Sequence, residues 1–207
     1  MKPVMSNAKS IRQWVESFPL GEAFTPVQLL TLGTRSSIDQ NLSRLARVGV
    51  IARVTRGVYV RPKINRFIGT VLPEPAGLVR VIAAAGQHKV QVHGAEAARQ
   101  LGLSMQVPMQ PVFETSGSPR TFKLGRLTIE LRHVAPRKLA LAGTMAGLAV
   151  SAMRYLGRQG TTIEVIEAIR SQLPVEEVRV LTERPGVMPA WMAEIWLYQQ
   201  RLTESYA

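Results

Sequence analysis

Between Ala8 and Val60, helix and strand signals follow one another so closely that only short elements fit, and this spacing constrains the fold more than any other feature. Ile11, Trp14, Val15 and Phe18 recur at helical spacing, which predicts a first helix over Ala8–Phe18, stopped by Pro19 and Gly21. Thr25-Pro26 pairs an N-cap with proline at the first helical position and starts a short second helix that ends at Gly33. Thr34 caps a third helix, Arg35–Val48, with Ile38, Leu42, Leu45 and Val48 on one face and Gly49 as its stop. Val50–Val54 and Val58–Val60 read as two strands around the tight turn Thr55-Arg56-Gly57. Three short helices followed by a hairpin is the order of a winged helix-turn-helix.

The stretch Arg61–Pro75, with Pro62, Gly69, Pro73 and Pro75, reads as the connection to a second unit. Beyond it, Lys89–Val92 and Val112–Thr115 are predicted as strands, and Arg120–Leu124 with Leu127–Val134 as a hairpin around Gly125-Arg126. Helices are expected at about Lys138–Leu156, Thr162–Leu173, Val175–Glu183 and Pro189–Leu202. The expected fold class is therefore α+β, or mixed: a winged helix-turn-helix over residues 1–68, then an α/β domain over residues 76–207 with a small sheet and a helical C-terminal third.

Composition narrows the function. The absence of cysteine excludes a disulfide scaffold, Cys-ligated zinc, an iron–sulfur cluster and a thiol nucleophile together. Met1–Ser10 holds no apolar core of the kind a secretory leader needs, so none is expected. The most apolar long stretch, Leu139–Met153, is interrupted by Gly143 and Gly147 and is too short to span a bilayer. The expectation is a soluble, cytoplasmic protein with no membrane partner. The net charge of +12 favours phosphate-bearing partners, and its distribution is more informative than its size. Residues 1–68 carry eleven Lys or Arg against three acids, a net +8, while the remainder, twice as long, carries a net +4.

With about 100° of rotation per residue, the face of the third helix opposite Ile38 and Leu42 holds Ser36, Gln40, Ser43 and Arg47, flanked by Ser37 and Arg44. These side chains suit a DNA major groove: Gln binds adenine through two hydrogen bonds, Arg binds guanine likewise, and Ser reaches base or phosphate. Arg35, at the helix N-terminus beside Thr34, is placed for phosphate, where the helix dipole also favours an anion. Arg53 and Arg56 make the turn side of the hairpin basic. The alternative is an ordinary solvated face. The serines weigh against it, since such faces more often use Glu, Lys or Ala. Tyr59, between Val58 and Val60, is expected in the core rather than stacked on a base.

Catalytic signals are sparse. His88, His93 and His133 are the only histidines, and neither HExxH nor a phosphate-binding glycine motif occurs. The histidines read as structural, and no metal or other cofactor is expected. Glu114 and Glu130 are expected to face each other across a sheet, with Arg132 beside them, and an acid–base pair is one of many readings of that placement. Gly143-Thr-Met-Ala-Gly147 reads as a small-residue helix face used for close packing.

The segments Phe24-Thr-Pro-x-x-Leu-Leu-x-Leu-Gly33 and Leu42-Ser-Arg-Leu-Ala-Arg-Val-Gly-Val-Ile-Ala-Arg-Val-Thr-Arg-Gly-Val-Tyr59 resemble the N-terminal domain of AbiEi-type antitoxins. Gly94-Ala-Glu-Ala-Ala-Arg-Gln-Leu-Gly-Leu-Ser-Met-Gln-Val-Pro108 and Arg132-His-Val-Ala-Pro-Arg137 resemble the start of the second domain in an AbiEi-like group. The resemblance covers roughly Phe24–Gly157 and gives no role to the residues after Gly157. It implies a type IV antitoxin. The winged domain would repress its own promoter on double-stranded DNA, and the second domain would neutralise a nucleotidyltransferase-like toxin, for which direct contact is not the defining mode. Carried over by position, Arg35–Arg47 is the recognition helix and Arg53–Arg56 the wing. The reading is a non-enzymatic repressor. Its rivals are a stand-alone regulator whose second domain senses a ligand, and a nuclease-like enzyme built on Glu114, Glu130 and Arg132.

Overall fold

The computed structural model describes residues 7–67 and 69–205, so Lys2, Ile68 and most of the Met1–Ser10 segment lie outside the described residues. Contacts divide the chain into two compact units, Met1–Gln87 with Thr121–Ile129, and His88–Arg120 with Glu130–Ala207.

The first unit opens with α1 (Asn7–Ser17), β1 (Ala23–Phe24), a 3-10 helix (Pro26–Leu32), α2 (Arg35–Arg47), β2 (Ala52–Thr55) and β3 (Val58–Val60). Ile11 and Val15 of α1, Leu29 of the 3-10 helix, and Ile38, Leu42 and Leu45 of α2 meet Phe24, Ile51 and Tyr59 in one buried cluster. Trp14, Phe18 and Phe24 pack ring against ring with centroids 4.9–5.3 Å apart. Tyr59 stacks on Phe24 at 5.9 Å and is a core residue, as its alternation predicts.

The expected second helix is a 3-10 helix instead. Pro26 opens it, and the Thr25 N–H donates to Gln28 Oε1 at 2.9 Å. Seven residues gain little from α-helical cooperativity, so the docking of Leu29 sets the local geometry. Of the strands in the sheet built on β3, the first is not foreseen by the alternation of apolar residues. The two-residue β1 pairs with β3, Ala23 opposite Val60 and Phe24 opposite Tyr59, and completes an antiparallel sheet in the order β1-β3-β2. With that strand the unit has the full topology of a winged helix.

The stretch Arg61–Pro75 is more than a connection. It contains an antiparallel hairpin, β4 (Lys63–Asn65) with β5 (Gly69–Val71), and leads into α3 (Pro75–Ala85), a helix that the sequence pattern does not separate from the short strands around it. Leu78, Val79 and Ala83 give α3 a buried stripe at helical spacing. The division between units therefore falls after Gln87 rather than near Ile68, and Thr121–Ile129, within the expected second domain, groups with the first.

The second unit begins with β6 (Val90–Val92) and α4 (Gly94–Gln100), then β7 (Val112–Thr115). After the hairpin of β8 (Arg120–Leu124) and β9 (Leu127–His133), β7 lies antiparallel to β6 and parallel to β9, in a sheet ordered β6-β7-β9-β8. A 3-10 helix (Pro136–Leu139) and α5 (Met145–Gly160) replace the single helix expected over Lys138–Leu156. The break lies at Gly143, whose φ of 88° is left-handed, and Thr144 then caps α5 by accepting the Gly147 N–H at 3.0 Å. Gly143 is thus a helix breaker. Gly147 alone fulfils the close-packing expectation, since a Cβ there would collide with the Leu141 carbonyl. α6 (Ile163–Gln172), α7 (Val175–Glu183) and α8 (Ala190–Ser205) follow the predicted helices closely. Ala97, Ala98, Ala149, Met153, Ile166, Ile169, Leu181 and Trp196 form the centre of this unit's core. The Trp196 indole N–H donates to Thr182 Oγ1 at 3.1 Å, satisfying the polar end of a fully buried ring.

Among the described residues, no helix is long and apolar enough to cross a membrane.

Candidate nucleic-acid interface

The geometry of α2 follows from its ends. Thr34 Oγ1 accepts the Ser37 N–H at 3.3 Å, and the helix closes where Gly49 turns to a φ of 78°. There the Gly49 N–H donates to the Ala46 carbonyl and the Val50 N–H to the Leu45 carbonyl, at 3.2 and 3.0 Å. Between these fixed ends, burial of Ile38, Leu42 and Leu45 leaves one rotational solution, so the opposite face is forced outward.

That outward face is a broad, shallow concavity lined by Arg35, Ser36, Asp39, Gln40, Ser43, Arg44 and Arg47. Of these, Ser36, Gln40, Ser43, Arg44 and Arg47 are exposed, so the helix gathers the residues singled out from the sequence. Ser37 stands apart. It is half-buried, its N–H is held by Thr34, and its carbonyl accepts from Asn41 Nδ2 at 2.8 Å. Arg35 is exposed but engaged: its Nε donates to Asp39 Oδ2 at 3.0 Å. An exposed i,i+4 pair of this kind holds by only about 0.3–0.5 kcal/mol, so a phosphate oxygen competes for the guanidinium on nearly equal terms. Asp39, the one acid in the concavity, is neutralised by that same pair.

Arg53 is exposed on β2 opposite Tyr59, and Arg56 is exposed at the turn. A register shift between Arg53 and Thr55 and the left-handed Gly57, φ 74°, make the turn tight and its two arginines prominent. Arg61 is structural. Its Nη1 donates to the Phe18 carbonyl at 2.7 Å, and its carbonyl accepts the Gly21 N–H at the same distance.

The β4–β5 hairpin lies in a stretch that the sequence presents only as a connection, yet it is more exposed than the strands of the wing. Lys63, Ile64, Arg66 and Phe67 are all exposed, Phe67 by 80%, and the Arg66 guanidinium lies 4.7 Å over the Phe67 ring. The Asn65 side chain accepts the Phe67 N–H at 2.8 Å, an Asx turn between two short β runs, and that asparagine is the signal by which the sequence could have announced it.

The residues weighed for catalysis are dispersed into structural contacts. Register places Glu114 opposite Arg132 and Val112 opposite Glu130, so the two carboxylates are not face to face. Glu130 instead accepts from Arg132 Nε and Nη2 at 2.8 and 2.9 Å, and the guanidinium holds its carboxyl below the usual range. His93 caps α4, its Nδ1 accepting the Ala95 N–H at 3.4 Å with the ring edge against Tyr155. His133 Nδ1 lies 2.8 Å from the Gly117 carbonyl. His88 covers Gly117, where a Cβ would meet the imidazole.

Comparison with known proteins adds a family but no activity. No curated protein matches the chain. Among solved structures it is similar to the RV2827C protein from Mycobacterium tuberculosis, with 15% identity and a TM-score of 0.41 over 96% of this chain and 83% of that one. A family of unknown function matches residues 10–180, most of both units, and the chain belongs to that family, DUF6088.

Proposed function

We propose that the protein is a DNA-binding repressor of the antitoxin kind. Its first unit reads the promoter of its own operon on double-stranded DNA, in the cytoplasm and away from any membrane, and its second unit counters a nucleotidyltransferase-like toxin without acting as an enzyme. The observation that carries the DNA-binding half is the outer face of α2. It presents Ser36, Gln40, Ser43, Arg44 and Arg47 in one exposed concavity, and Arg44 and Arg47 make no ion pair among the described residues. Gln40 and Arg47 are base readers in this proposal, Ser36, Ser37 and Ser43 reach base or phosphate, and Arg35, Arg44, Arg53 and Arg56 hold the backbone. The antitoxin half rests on the resemblance of Phe24–Gly157 to the AbiEi-type proteins.

Two assays test the two halves. Gln40→Ala and Arg47→Ala should each cost about 1–3 kcal/mol at the specific site and much less on random DNA, whereas Arg56→Ala should weaken both equally. Identical behaviour of all three in a gel-shift titration would overturn the assignment of base and backbone contacts. Growth rescue in cells carrying the adjacent toxin should survive the Arg47→Ala and Arg56→Ala changes. Rescue that needs either arginine would mean that neutralisation runs through DNA binding alone.

A further inference from the structure

A second basic site lies wholly within the second unit. Arg137 and Lys138, adjacent on the 3-10 helix, and Arg154, one face of α5, meet the chain segment Gly186–Pro189 around a cavity of about 240 Å³. No acid lines it, although elsewhere in this unit arginines stand against carboxylates: Arg99 with Glu96, Arg132 with Glu130, Arg158 with Glu194, and Arg179 with Glu176 and Glu183. None of the three pocket cations makes an ion pair among the described residues. Arg137 and Lys138 are exposed at the rim, while Arg154 is half-buried and Met188 is buried beneath. Three positive charges gathered around one hollow repel each other, and an anion seated there relieves that repulsion. α8, sixteen residues long, begins at Ala190 directly after the lining Pro189 and adds the positive end of its dipole at the same edge.

From this geometry we infer that the pocket binds the phosphate group of a small phosphorylated molecule such as a mononucleotide. Phosphate is the anion whose tetrahedral oxygens two guanidiniums and an ammonium engage at once. The cavity falls just below the roughly 300–1,000 Å³ of sites that enclose drug-sized ligands, so it admits a phosphate head with part of what bears it and not a duplex. The site does not rest on the DNA-binding proposal. It supplies a ligand-sensing function to the unit for which the resemblance gives no ligand.

The test is calorimetric titration of the full chain with inorganic phosphate, with a 5′-mononucleotide and with an operator-free oligonucleotide. The paired variant Arg137→Gln/Lys138→Gln changes only exposed side chains and keeps the fold, and Arg154→Met preserves the apolar stem at the wall. Phosphate and mononucleotide should bind the unaltered chain, weaken roughly tenfold for each cation removed, and bind unchanged when Arg47→Ala is introduced in the first unit. That last arm separates this site from the α2 face, so either proposal can fail alone. Absence of mononucleotide and phosphate binding at millimolar ligand would overturn the inference. So would binding that both pocket variants leave intact. Pocket-dependent binding of the oligonucleotide alone would overturn it in favour of a nucleic-acid backbone contact.

Discussion

The outer face of α2 and the helical surface of α7 and α8 are both rich in charge, but they handle it in opposite ways. On α7, Arg179 reaches Glu176 at 2.7 Å and Glu183 at 3.7 Å, and on α8 Glu194 holds Arg158 at 3.0 Å. Arg179 and Arg158 thus each meet an acid on their own or a neighbouring element. On α2 one acid, Asp39, serves one of the three arginines, and serines and a glutamine fill the spaces where pairing acids would stand. Exposed pairs of the first kind contribute at most about 1 kcal/mol and chiefly keep a surface neutral. A face of the second kind leaves positive potential unspent, which has value only where an anion arrives. Fold alone does not make a winged helix a DNA reader, and the difference in charge handling is what distinguishes the two surfaces.

The largest effects should come from breaking one unit and leaving the other. Leu42→Ala removes a buried side chain from the cluster of α1, α2 and Tyr59 and should cost about 2–5 kcal/mol. Trp196→Ala should cost about 3–5 kcal/mol in the second core and also orphan the Thr182 hydroxyl. Denaturant unfolding followed by promoter binding should show the first change abolishing binding well before the second unit melts, and the reverse order for Trp196→Ala. Coincident loss of both signals in both variants would make the two units one cooperative body. Residues 1–68 contain every member of the first buried cluster, Ile11 to Tyr59, so this fragment should retain specific DNA binding, with the marginal stability expected of so small a core.

A smaller effect concerns salt. Binding of that fragment to the promoter should weaken with a slope of about 0.9 log units per phosphate contact, so replacing Arg44 or Arg53 with Ala should each flatten the slope by roughly one contact. Arg179→Ala in the full chain should leave the slope unchanged. An equal response at Arg44 and Arg179 would erase the distinction between the two surfaces.

The smallest effect is acid sensitivity at the sheet. Glu130 is held below its ordinary range by the hydrogen-bonded Arg132 guanidinium. Because its folded value is depressed, its contribution is present above the unfolded value and is lost as pH falls through the folded one. Glu130→Gln should therefore lower the urea midpoint slightly at neutral pH, and the gap to the unaltered chain should close as pH falls through the folded value. A gap that stays constant into acid would show that the Glu130–Arg132 pair adds no pH-dependent stability.

Much of the candidate interface was legible because its signals are local. Thr34, Gly49 and Gly57 act within four residues of themselves through caps and left-handed turns, and the spacing of Ile38, Leu42 and Leu45 fixes which face of α2 turns outward. The engagement of Arg35 by Asp39 also lay within reach, one helical turn apart. Nothing local announces β1, since a two-residue strand exists only because Tyr59 and Val60 lie alongside to pair with it. Register likewise belongs to the assembled sheet. A parallel partner at β9 sets Glu130 beside Val112 and gives Glu130 to Arg132, where the sequence suggested two opposed carboxylates. The basic pocket was invisible for the same reason, its cations and its Gly186–Pro189 wall lying up to fifty-two residues apart from Arg137 to Pro189. Most helices, their ends and the charge they carry are written in the order of the residues, because hydrogen bonds within a turn and the 3.6-residue period act between near neighbours. Which distant strands pair and which charges converge is settled only when the chain is packed, because those choices are made by the burial of apolar faces against one another.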